Sequence, residues 1–194
     1  MTETGAVCAA ATGAKRDGFA ASRTRIVRRA VVAGMALCLS VAAPASSHAA
    51  GKLVAFAERV PPGTIVVRTG ERRLYLVLGD GEALRYTVGV GRAGRQWTGR
   101  SLIDGKFVRP NWAPPESMKR KRPGVADVIA SGSPRNPMGA AAMTLSGGDY
   151  AIHGTNAPQS IGGFVSYGCI RMFNEDITEL YKRVGIGTLV IVTH

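Results

Sequence analysis

Between Thr64 and Val90 the chain carries three consecutive runs rich in β-branched and aromatic residues, and they commit this stretch to antiparallel sheet. The runs read TIVVRT from Thr64 to Thr69, RRLYLVLG from Arg72 to Gly79 and ALRYTVGV from Ala83 to Val90. Side chains of this kind fit a pleated, half-buried surface. Thr69, Gly70 and Glu71, then Gly79, Asp80 and Gly81, supply the turns, so two successive hairpins are predicted. Gly91 to Gly139 is rich in glycine, proline and arginine and has no long periodic segment, which predicts loops with room for two short strands. Trp112, Pro114 and Pro115 should be extended, because proline restricts the residue before it. Long irregular segments of this kind often serve as binding loops or lids.

The last third is clearer. Asp149 to Gly154 reads as a strand ending at a histidine, and a glycine-rich loop leads from it to Cys169. One convincing helix follows. Asn174 can cap it, Glu175 and Asp176 suit its positive end, and Ile177, Leu180, Tyr181 and Val184 recur at helical spacing. Gly185 should end it, and Thr188 to Thr193 forms a final strand. The residues thus predict a mainly β domain with one principal helix over about 174–184. A chain of 194 residues has room for one such core, and its 45% hydrophobic content suits packing, not disorder.

The first fifty residues read as an address. Basic residues from Arg23 to Arg29 precede an apolar run from Ala30 to Ala43, then Pro44 and the small-residue stretch ending at Ala49 and Ala50. That order matches a secretory signal cleaved near Ala49 or Ala50. The apolar run is shorter than the roughly 20 residues a spanning helix needs. Arg28 and Arg29 stand without further twin-arginine context, which favours the general secretion route, and Leu37 before Cys38 excludes a lipidated cysteine. Membrane contact is therefore expected only through this segment, with residues 51–194 as the working domain in the periplasm or cell envelope.

The signal segment holds +4 of the +12 formal charge, leaving +8 for the remainder. Such an excess favours anionic partners. Lys119, Arg120, Lys121 and Arg122 could mimic a nucleic-acid patch, but in a secreted protein they read as a solvated loop drawn to an anionic envelope, and no nucleic-acid partner is expected. Gly89, Gly91 and Gly94 form a GxGxxG string with no helix after it, so a dinucleotide site is not expected.

Cleavage would remove Cys8 and Cys38 and leave Cys169 alone. A lone thiol in an oxidising compartment is a liability unless it is buried or used in chemistry. A cysteine attacks as its thiolate and needs a base or a positive field nearby. His153 is the one histidine of the domain apart from the terminal His194. Tyr167, Gly168 and Cys169 lie in a glycine-containing turn whose backbone N–H groups could meet the negative charge that forms on a carbonyl oxygen under attack. One cysteine and one usable histidine do not make a zinc ligand set, so neither metal nor cofactor is expected.

Taken together, HGTN at His153 to Asn156 and SYGCIRM at Ser166 to Met172 resemble the catalytic signature of the L,D-transpeptidases, a histidine followed at similar spacing by Ser-His-Gly-Cys and a polar residue. The likeness runs from about Thr64 to Thr193 and includes the Trp-x-Pro-Pro segment at Trp112 to Pro115, Asn-Pro-Met-Gly at Asn136 to Gly139, and Asn-Glu-Asp-Ile at Asn174. It implies a β-sandwich or partly open barrel of mixed strands. It also implies Cys169 as the acylated nucleophile, His153 as general base and the Gly154 carbonyl as the group that orients it. Arg171 falls where substrate is recognised, and Ser166 and Tyr167 are grouped with it on the substrate-binding side, Ser166 as a structural polar contact. The implied substrate is the peptidoglycan stem peptide, with a second stem peptide or an envelope protein as acyl acceptor. Tyr167 departs from the pattern, standing where many members have a second histidine.

Simpler readings stand beside these. Arg171 could pair with Glu175 or Asp176, and Tyr167 could be packing. The same thioester resolved by water would make an L,D-carboxypeptidase, and loss of catalysis would leave a wall-binding module.

Overall fold

The computed structural model describes residues 51–114, 119, 120, 124 and 126–194. The proposed signal segment lies outside the described residues, as do Pro115, Lys121 and Arg122. The elements run β1 (Lys52–Ala55), β2 (Ile65–Arg68), β3 (Arg73–Gly79), β4 (Glu82–Thr87), β5 (Val90–Gly91), β6 (Gly99–Val108), β7 (Ala141–Leu145), β8 (Tyr150–His153), β9 (Phe164–Ser166), β10 (Ile170–Arg171), α1 (Asn174–Arg183) and β11 (Leu189–Thr193). Nine of these strands form one hydrogen-bonded series in the order β1, β4, β3, β2, β11, β6, β7, β8, β10, while β5 pairs with β9. The series is mixed. β11 runs parallel to β2 and β10 parallel to β8, and its other neighbours are antiparallel.

The two predicted hairpins form: β2 pairs with β3 and β3 with β4. Their turns hold Arg72 at φ 54°, Asp80 at φ 51° and Gly81 at φ 77°, the left-handed backbone that tight turns demand. One face of these strands carries Ile65, Val67, Leu74, Leu76, Leu84 and Tyr86 into the main core, with Ile103, Met143, Ile152 and Ile170 from the other half of the series. Each such aliphatic side chain withdrawn from water contributes roughly 1.5–3 kcal/mol. The opposite face is covered too, by a smaller cluster in which Phe56 packs on Val66, Tyr75, Val77 and Ala83.

β6 links the two halves. Its first residues pair with β11 and its later ones with β7, and the register slips between Ile103 and Gly105. A bulge of this kind bends a strand and strengthens its twist, letting one strand serve two sheets. A ten-residue strand was not expected in the stretch 91–139. The reason is an inverted pattern: Ser101, Ile103 and Gly105 face inward, whereas Leu102, Phe107 and Val108 are 44%, 49% and 69% exposed. Small and polar residues on the inner face erase the alternation that marks a strand. β7 was missed for another reason, since Ala-Ala-Met-Thr-Leu is a buried run with weak β preference.

The helix lies where predicted, ending one residue earlier at Arg183, with Val184 already extended. Ile177, Leu180 and Val184 are buried in the main core, and Tyr181 packs against it. Lys106 of β6 donates from Nζ to the carbonyls of Tyr181 (2.7 Å) and Val184 (2.5 Å), neutralising the negative end of the helix. Asn174 does not cap the helix as expected. Phe173 holds the cap position without a side-chain hydrogen bond, and the Asn174 amide is used elsewhere.

Candidate active site

Ser166 to Arg171 builds one wall of the site. Ser166 is buried at the end of β9, accepts from the Gly168 N–H at 3.0 Å and donates to the Cys169 carbonyl at 2.6 Å. One hydroxyl thereby closes the turn. Ser166 thus ties the turn together from beneath. The Gly168 N–H, expected as a donor to a substrate oxyanion, is engaged by that hydroxyl. Gly168 itself has φ +126°, and a Cβ there would come within 2.3 Å of the Tyr150 ring. Only glycine fits.

The Tyr150 ring stacks on Trp97, with centroids 5.0 Å apart and planes 4° from parallel. The Trp97 indole donates from Nε1 to the Gly168 carbonyl at 3.0 Å. Neither aromatic had a signal in the sequence beyond its residue type, because Trp97 sits in an aperiodic loop. Tyr167 is half-buried, with the exposed Arg92 guanidinium 3.9 Å from its ring centroid and Arg95 at 5.8 Å. Its ring thus forms part of a cationic rim.

Cys169 is half-buried and precedes β10 by one residue. β10 pairs in parallel with β8, setting Ile170 opposite Ile152 and Arg171 opposite His153. Alternation along both strands puts Cys169, Arg171 and His153 on one face, with Cys169 and His153 as diagonal neighbours. Strand rise and spacing separate such Cα atoms by roughly 8 Å, a gap that a cysteine and a histidine side chain can close between them. Burial raises the Cys169 thiol pKa; the Ala151 amide and the charge of Arg171 pull it back, while Asp149 adds to the rise.

His153 ends β8 and is buried. Its Nδ1 lies 2.7 Å from the Gly154 carbonyl. A carbonyl only accepts, so Nδ1 carries the proton and Nε2 is the basic nitrogen. Burial first, and then the charge of Arg171, hold the imidazole pKa down to about 4, opposed by the carbonyls of Gly154 and Pro137. The backbone behind it is fixed by Asn174. Asn174 Oδ1 accepts from the amides of Ala140 (3.0 Å) and Thr155 (3.1 Å), and Nδ2 donates to the Thr155 carbonyl at 2.9 Å. The loops entering β7 and leaving β8 are thereby tied to the start of α1. The tie leaves no room for side chains: a Cβ at Gly139 or Gly154 would meet Asn174 Oδ1 at 2.2 or 2.3 Å.

Asn136 plays a similar part in the long loop, donating to the carbonyls of Pro110, Ile129 and Ala130 and accepting from Met138 N–H. Trp112 is extended as expected and exchanges two backbone hydrogen bonds with Ile129.

Arg171 is half-buried, and burial lowers its pKa. Its Nε is shut away from solvent without an acceptor. The expected simpler partner, Glu175 or Asp176, makes no ion pair with it, and among the described residues no carboxylate does. A guanidinium left this way beside a thiol and an imidazole is a ready receptor for a carboxylate. Gly89 holds the other side of Arg171 by two backbone hydrogen bonds of 2.8 Å. Gly89, the first glycine of the string noted in the sequence, therefore serves close strand contact.

Comparison with known proteins extends this geometry. The model of the YkuD family, described as the L,D-transpeptidase catalytic domain, matches residues 62–192. The chain is 39% identical over 134 residues to a protein of Escherichia coli named "Probable L,D-transpeptidase ErfK/SrfK", covering 65% of this chain and 42% of that protein. It is 36% identical over 134 residues to YbiS of Escherichia coli, again 65% of this chain and 43% of the relative. The chain thus spans less than half the length of these relatives. Among solved structures, L,D-transpeptidase 3 from Mycobacterium tuberculosis has a TM-score of 0.53 at 19% identity, covering 69% of this chain and 62% of that one. The catalytic domain of an Enterococcus faecium L,D-transpeptidase acylated by ertapenem has a TM-score of 0.53 at 17% identity, covering 70% of this chain and all of that domain. These structures share the mixed, mainly β architecture with one principal helix. From residue 62 to residue 192 the chain belongs to the L,D-transpeptidase catalytic-domain family.

Proposed function

We propose that this protein is an acyltransferase that acts on peptidoglycan stem peptides through a Cys169 thioester, with His153 as general base. The observation that carries the reading is the shared face of β8 and β10, where Cys169 and His153 stand beside a guanidinium without a carboxylate partner.

At neutral pH the imidazole is neutral and the thiol protonated, given the directions of both pKa shifts. Proton transfer therefore accompanies attack and does not precede it. Sγ bonds to the carbonyl carbon between the L-configured centre of diaminopimelate and the terminal D-alanine, while its proton passes to His153 Nε2. The Gly154 and Pro137 carbonyls favour the resulting imidazolium. The carbonyl oxygen gains negative charge, and the Cys169 N–H is the amide of the turn best suited to meet it, Gly168 being engaged by Ser166. Collapse breaks the C–N bond, and the imidazolium returns its proton to the departing D-alanine amine. An acceptor amine then attacks the thioester and gives a proton to His153, and the imidazolium passes that proton to the departing Cys169 sulfur, which restores the thiol and the neutral base. Arg171 binds a substrate carboxylate during both halves. The product is a cross-link between diaminopimelates or a protein attached to the wall.

The first fifty residues are read as the secretory signal that delivers the domain to the envelope. Incubation with purified tetrapeptide muropeptides tests the activity by mass spectrometry. A dimer formed with loss of one D-alanine supports transfer, tripeptide alone indicates an L,D-carboxypeptidase, and unchanged substrate indicates a binding module.

A further inference from the structure

Three of the four backbone polar groups at the Gly168–Cys169 turn have protein partners. The Gly168 N–H donates to Ser166 Oγ, the Cys169 carbonyl accepts from the same hydroxyl, and the Gly168 carbonyl accepts from Trp97 Nε1. The fourth group, the Cys169 N–H, has no acceptor among the described residues. It belongs to the same planar peptide unit as the Gly168 carbonyl, and in a trans peptide the two bonds point in opposite directions. Fixing the carbonyl therefore fixes where the amide points. A hydrogen bond to the oxygen also polarises the unit and strengthens its N–H as a donor.

The indole is itself held. It stacks on Tyr150, and that ring occupies the space a Gly168 side chain would fill. Trp97, Tyr150 and the turn thus lock one another, and the loop 92–98 reaches the nucleophile through one N–H.

We propose that Trp97 is a positioning residue that aims and polarises the Cys169 amide toward the oxyanion of the acyl-transfer transition state. Trp97 touches neither substrate nor thiol in this role; it acts through the peptide bond. The inference rests on the acyltransferase reading above. It also explains why a bulky aromatic with an N–H stands near the end of an otherwise polar, glycine-rich loop.

The experiment compares the full wild-type chain with Trp97→Phe, and with β-(3-benzothienyl)alanine at position 97, which keeps the ring size and stack and replaces the N–H by sulfur. Two reactions of Cys169 are timed at one pH. Carbapenem acylation builds an oxyanion, whereas iodoacetamide alkylation is a displacement at carbon that builds none. Loss of the indole N–H should slow acylation, and kcat on tetrapeptide with it, by at least about tenfold. Alkylation and KM should stay within about twofold, since a mis-aimed amide affects only the reaction that develops charge on oxygen. An equal fall in both reactions in the benzothienyl variant would mean a general disturbance of the turn and would overturn the proposal. Unchanged acylation there would overturn it as well. Failure of the acyltransferase reading would be seen separately, as a wild-type protein that alkylates but never acylates, and the inference would fall with it.

Discussion

Arg171 stands opposite His153 in the parallel ladder between β10 and β8, which sets a permanent cation beside the group assigned as base. The arrangement disfavours a charged imidazole at rest and favours a thiolate, and burial disfavours both charges. A substrate carboxylate received by Arg171 would offset the cation and make His153 more basic when the reactant is present. On the proposed mechanism the resting site is thus neutral at thiol and imidazole, and substrate binding would raise the basicity of His153.

The depressed His153 pKa makes stability depend on pH. The folded pKa is about 4 against an ordinary 6.5, so between these values the unfolded chain binds more protons. Stability contributed by the neutral imidazole is complete above pH 6.5 and is lost as pH falls to about 4, by roughly 3 kcal/mol. Urea denaturation at pH 7 and pH 4.5 checks this, with His153→Gln as reference. The wild type should lose more stability than the variant over that interval.

Replacing Arg171 by Met should lower kcat/KM on tetrapeptide by about ten- to hundredfold, the range expected for a charge-assisted hydrogen bond to a carboxylate. Loss of the cation should also raise the thiol pKa further, slowing iodoacetamide alkylation at neutral pH. Arg171→Lys should recover the alkylation rate better than it recovers kcat/KM, since an ammonium restores charge without the planar fork.

Asn174→Ala leaves the Ala140 and Thr155 amides without their acceptor. Each amide left unsatisfied costs about 1–3 kcal/mol, so a loss of about 2–6 kcal/mol is expected in denaturant unfolding. Gly139→Ala drives a methyl group into the same carbonyl oxygen at a positive φ and should be similarly damaging, yet in the Asn174→Ala background its added cost should shrink.

Gly168→Ala introduces a Cβ into the Tyr150 ring at φ +126°. Backbone strain and overpacking together should cost about 2–4 kcal/mol. Thermal unfolding measures the loss. Tyr150→Ala should relieve the packing share and leave the strain.

The hairpins and the helix were legible because each has a local signature, alternating β-branched runs with turn residues and apolar spacing near 3.6; the proposed Cys169–His153 pair was named because a thiol and an imidazole stood among few candidates. β6 was not, because its inward face is Ser101, Ile103 and Gly105 and its large apolar residues point outward. The role of Asn174 was hidden for a different reason. A polar side chain at a helix start looks like a cap, and only the fold reveals that its partners are distant backbone groups, 34 residues away for the Ala140–Asn174 pair. Trp97 lay beyond sequence reasoning entirely, since its partner is a carbonyl 71 residues further along the chain.

Intact-mass analysis after exposure to a carbapenem tests the nucleophile most directly. One adduct is expected on the wild-type chain, none on Cys169→Ala, and an acylation rate lowered by at least about a hundredfold in His153→Ala, as for loss of a general base. An unmodified wild-type protein, or an adduct that persists in Cys169→Ala, would contradict Cys169 as the nucleophile.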